Sequence, residues 1–149
     1  KNHNIAGLMN VHLYELQVAY LFGSYDTALE ICHALSKHTQ TFQWQLGTYA
    51  YLLYSGLTYL HAYSVKKRSK YLRSARQNQK TLQKWMKQGN PNCEPYYMLL
   101  KAEESVVVGM KVNEIVPLLS RASEPTVSKA NEIEKCMSRA IHAANRDNL

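Results

Sequence analysis

The sequence predicts an all-α chain of antiparallel helical hairpins, stacked into about six to seven helices. Three observations carry this. Apolar residues recur at three- and four-residue intervals over long stretches, the period of a helix face. Helix breakers are scarce, with six Gly and four Pro in 149 residues. The run at 66–89, KKRSKYLRSARQNQKTLQKWMKQG, resolves into two faces at 100° per residue. Lys66, Lys70, Arg73, Arg76, Lys80, Lys84 and Lys87 fall on one side, and Tyr71, Leu72, Ala75, Leu82, Trp85 and Met86 on the other. A chain of 149 residues suits a single domain, 1–149, with hairpins at about 5–38, 42–89 and 93–147 and an irregular segment at 116–126.

The first helix is expected over 5–22, with Ile5, Leu8, Met9, His12, Leu13, Leu16, Ala19 and Tyr20 on its apolar face. Gly23 ends it as a C-cap residue, and Ser24 is expected to cap the next helix, 25–37. Asp26 then lies in a first turn, where negative charge favours the helix dipole. Ala28, Leu29, Cys32 and Leu35 or Ser36 form that helix's buried side. So short a join forces antiparallel neighbours. The Gly23-x-Tyr25-x-x-Ala28-Leu29 spacing looks like the second half of a tetratricopeptide unit. In such a unit Gly permits the turn, the aromatic packs between helices, and the small Ala lets two helices approach closely.

A third helix is expected over 41–63, with Ser64 capping the basic fourth helix. Gly89 closes the fourth, and Asn90-Pro91-Asn92 makes a turn. A fifth is expected over 93–108, with Glu94 and Pro95 in its first turn, Tyr97, Leu100, Ala102, Val106 and Val107 on its apolar face, and Gly109 at its end. Pro117 and Pro125 then limit helix formation, since an interior Pro costs about 3 kcal/mol. A short helix near 112–120, a loop at 122–125 and a last helix over 126–145 follow.

The net charge of +7 is unevenly spread: no Asp or Glu occurs between Ile31 and Cys93, against ten Lys and Arg. A local basic patch points to an acidic partner more directly than a high pI does. The three cysteines, Cys32, Cys93 and Cys136, are scattered, which fits reduced thiols in a cytoplasmic protein. No signal peptide is visible, and without an initiator Met the sequence is expected to be a segment of a longer chain. Residues 38–65 carry no formal charge, but Gln43, Gln45, Thr48, Ser55, Thr58, His61 and five Tyr punctuate them. That pattern suits a central buried helix and not a membrane span.

Several stretches resemble the helical region that follows the AAA-type, STAND-like ATPase domain of large multi-domain sensor kinases, both Ser/Thr and hybrid histidine kinases. They are YLFGSYDTALE, the Tyr71-Leu72-Arg73-x-Ala75-Arg76 pattern, KWMKQGNPN at 84–92, and SRAIHAANRDNL at 138–149. The resemblance spans most of the chain and departs between Val116 and Ile133, where two prolines interrupt the last hairpin. It implies a tetratricopeptide-like regulatory module of a cytoplasmic signalling protein, without catalytic residues.

No chemistry-bearing constellation opposes that implication. No phosphate-cradling Gly-rich loop and no kinase motif is present. His33 and His38 do not share a helix face, and His12, His61 and His142 have no carboxylate or Cys at ligand spacing, so no metal site and no cofactor is expected. Glu103 and Glu104 point apart on a helix and are expected at a solvated edge. Cys32 and His33 also diverge, and the eleven Tyr are expected in inter-helix packing. The expected function is a non-catalytic protein-interaction module. Its partner is another domain of the parent chain or an acidic protein, with nucleic acid on the basic face as the alternative. Against nucleic acid, Tyr71 and Trp85 are expected to face the core, leaving no aromatic among the charges.

Overall fold

In the computed structural model, residues 5–37, 47–109 and 116–117 are described. They form five α-helices: α1 (Ile5–Leu21), α2 (Tyr25–Ser36), α3 (Gly47–Lys66), α4 (Ser69–Lys87) and α5 (Glu94–Val107), with a 3-10 turn at Pro91–Cys93 before α5. No strand occurs among the described residues, so the chain is all-helical there. Of the helices expected beyond Gly109, only Val116 and Pro117 are described; they are helical and exposed. The expected helix over 126–145, and residues 41–46 of the third, lie outside the described residues.

The chain divides into two compact units, Lys1–Ala75 and Arg76–Leu149, and the division falls inside α4. In the first unit α1, α2 and α3 pack on one another. The α1–α2 turn is closed by backbone bonding. Gly23 adopts φ +80°, its N–H donates to the Tyr20 carbonyl (3.1 Å), and the Ser24 N–H donates to the Ala19 carbonyl (2.8 Å). This paired arrangement satisfies the last carbonyls of α1, and its left-handed residue explains the Gly. Ser24 occupies the cap position, but its hydroxyl makes no cap bond, contrary to expectation.

α1 and α2 bury most of what their periods demand. Met9, Leu13, Leu16, Ala19 and Tyr20 of α1 are buried, as are Ala28, Leu29, Cys32 and Leu35 of α2. Ser36 faces out. Leu8, expected in the core, is exposed. Met9, four residues before Leu13 where Leu8 is five, takes the inward position instead.

α3 is the central element of this unit, with every residue from 51 to 60 buried. Its polar groups are accommodated internally: the Ser55 hydroxyl donates to the Tyr51 carbonyl (2.5 Å) and Thr58 to the Tyr54 carbonyl (2.7 Å). Back-bonding of this kind lets hydroxyls enter a core without an orphaned donor. Tyr25 of α2 stacks on His61 of α3 at 3.6 Å between ring centroids and meets Tyr20 edge-on at 5.5 Å. Tyr25 therefore packs between helices as its spacing predicts.

α3 runs three residues past its expected end. Ser64 lies inside it, bonded to the His61 carbonyl at 2.8 Å, and does not cap α4. The break falls at Lys67, which takes φ +51° without being a glycine.

In the second unit, Leu82 of α4 is fully buried, and Cys93, Tyr96, Met98, Leu99, Leu100 and Ala102 form the core around α5. Gly89 (φ +88°) closes α4 with the same paired bonds as Gly23: its N–H donates to Met86 (3.0 Å) and that of Asn90 to Trp85 (3.1 Å). The Asn90 side chain accepts the Asn92 N–H at 3.2 Å and starts the 3-10 turn with Pro91 at its first position. Tyr96, not Tyr97, is the buried ring of α5; Tyr97 is part-buried and accepts a bond from Gln83 at 3.4 Å. Val106 and Val107 are part-buried, while Glu104 and Ser105 are buried.

Candidate interaction surface

The cationic row on α4 follows from the helical period. Lys70, Arg73, Lys80, Lys84 and Lys87 are all exposed, with a gap of nearly two turns between Arg73 and Lys80. At 1.5 Å per residue the row extends about 25 Å. Among the described residues none of these five forms an ion pair; Lys70 sits 4.9 Å over the Tyr71 ring. Opposite them, Tyr71, Ala75 and Leu82 are buried, and Leu72, Trp85 and Met86 are part-buried. Leu72 and Trp85 flank the stripe on either side, which accounts for their partial exposure.

Two of the seven expected cations are placed differently. Lys66 is the last residue of α3 and so stands outside the face; its ammonium reaches Asp26 of α2 at 3.1 Å, an exposed contact of small energetic weight. Arg76 is exposed, but its guanidinium Nε donates to Glu104 at 2.6 Å. The structure also shows exposed Lys67 and Arg68 between α3 and α4, which the period did not single out.

The Glu104 cluster is the clearest departure from the sequence expectation. Glu104 is not at a solvated edge: it is buried, with Arg76 on one oxygen and Lys101 on the other at 3.2 Å. Gln79, itself buried, donates to the Leu100 carbonyl at 3.1 Å. Burial alone would raise the Glu104 pKa, but hydrogen bonds from Arg76, Gln79 and Lys101, with the Lys101 charge, outweigh it and hold the carboxyl below its ordinary value. Partners 28 residues away, as Arg76 is, leave no local pattern.

Burial also shifts groups in the packing of α2 and α3. Burial pushes the Cys32 thiol up to about 12 against an opposing hydrogen bond with Thr58, so it stays protonated and unreactive. Burial, with the neighbouring Cys32, likewise raises Tyr51 to about 12. Cys32 and Cys93 are both buried, and neither is in a disulfide. His12 does have a carboxylate neighbour, Glu15 at 2.7 Å one turn on, contrary to the spacing expectation. No group of three or more metal-ligating side chains occurs among the described residues. None of the described helices is long and apolar enough to cross a membrane.

The described residues thus define an all-helical fold with a cationic helix face. No family model, curated protein or solved structure matches the chain.

Proposed function

We propose that the chain is a non-catalytic, tetratricopeptide-like interaction module that docks an acidic protein surface on the exposed face of α4. One observation carries the proposal: five exposed cations, Lys70, Arg73, Lys80, Lys84 and Lys87, share one side of a helix, with no ion pair to any described residue. A row of uncompensated charge steers an oppositely charged partner and sets its register. The solenoid of six to seven helices is supported by the α1–α2 hairpin, where Gly23, Tyr25 and Ala28 stand as that repeat requires. A place in a cytoplasmic signalling ATPase or kinase rests on the sequence resemblance alone, and the acidic partner is then another domain of the same long chain or a second protein.

Nucleic acid is the competing acidic partner. Tyr71 is buried and Trp85 part-buried, so the charged side of α4 lacks the stacking platform that single strands use. Fluorescence anisotropy separates the two. The probes are a labelled glutamate-rich helical peptide and a short labelled DNA duplex, at about 50 mM and about 200 mM salt. The proposal expects the peptide to bind more tightly than the duplex at the higher salt. The reverse order assigns the face to nucleic acid, and no binding of either probe at the lower salt overturns an interaction role.

A further inference from the structure

α1 is apolar on both sides. Its inner face enters the core, yet Leu8, Val11, Tyr14 and Val18 are 57%, 53%, 67% and 53% exposed, and Phe22, just past the helix, 84%. Their spacing of three and four residues sets them in one strip along the helix. A surface helix normally carries polar residues there. Single exposed apolar side chains are unremarkable, but a contiguous strip of several hundred Å² marks an interface.

Charge indicates the occupant. With a net charge of +7, two copies of the chain repel wherever cationic surfaces meet. α1 contains no Lys or Arg. His12 and Glu15 are hydrogen-bonded at 2.7 Å, so Glu15 has a polar partner within its own helix. A second copy therefore meets no cation of α1 on this strip, and Glu15, one turn from both Val11 and Val18, is the carboxylate that each copy brings to it. The five side chains expose on the order of 600 Å² per copy. With polar flanks that comes near the ~800 Å² each partner gives to a standard interface. A two-fold axis uses one patch twice, so a single strip suffices.

We infer that the chain forms a symmetric dimer through the outer strip of α1, with Tyr14 and Phe22 as the aromatic anchors. The inference is independent of the α4 face. Sedimentation velocity of the full 149-residue chain from about 1 μM to about 100 μM tests it. The expected result is a rise from one-chain to two-chain mass. The double variant Val11→Lys, Val18→Lys should weaken association by at least about tenfold, with helical circular dichroism unchanged because both positions already face out. Phe22→Ser, outside the helix, should weaken it in the same direction and guards against misfolding of the double variant. One-chain mass throughout the wild-type series, or an undiminished dimer in folded variants, overturns the inference.

Discussion

Glu104 shows how one buried charge constrains its surroundings. A carboxylate removed from water is tolerated only when its oxygens are bonded, and here Arg76, Gln79 and Lys101 supply those bonds. Glu104→Ala should cost about 1–3 kcal/mol in urea-unfolding stability, with Glu104→Gln closer to wild type because the amide oxygen still accepts a bond. The carboxyl's pKa is lowered in the folded state, so the unfolded chain binds its proton more readily. The stabilisation is therefore present above the ordinary glutamate pKa of about 4.3 and is lost as pH falls through the lower folded value. A urea titration from pH 6 down to about pH 3 should show that loss in the wild type, and a smaller one in Glu104→Gln. Identical pH profiles would remove Glu104 from the account.

At the scale of elements, α4 divides into a side that stabilises and a side that stays free. Leu82 is fully buried, and Leu82→Ala should cost about 2–5 kcal/mol. Lys84→Ala, on the opposite side, should stay within about 0.5 kcal/mol of wild type. Chemical denaturation of the two variants checks this, and equal losses would contradict the division. This division was legible in the sequence because charge and apolarity alternate there with the helical period, and the positive-φ glycines at 23 and 89 marked helix ends for the same local reason. What the pattern could not locate was non-local or conformational. Lys66 continues the basic period but belongs to α3, because the break depends on Lys67 taking a left-handed conformation that its side chain does not announce. Tyr96 and Tyr97 are adjacent and chemically alike, so only packing decides which is buried. The outer strip of α1 was hidden for a related reason: with apolar residues on two sides of the helix, the inner face could be read from its period while the outer one gave no sign of staying uncovered.

For the whole molecule, the governing fact is that positive charge is concentrated rather than spread. Between Ile31 and Cys93 no acid interrupts ten basic residues, and the structure gathers five of them on one exposed helix side. Surface charge of this kind contributes little to folding and much to association. Charge reversal on that side should therefore separate binding from stability. The most direct measurement is a titration of the glutamate-rich peptide into wild type and into the variant Arg73→Glu, Lys80→Glu, Lys84→Glu, Lys87→Glu, with unfolding followed in parallel. The account predicts that the variant keeps its helical content and unfolding midpoint while its affinity for the peptide falls by at least about a hundredfold. A folded variant that binds the peptide as tightly as wild type would contradict it.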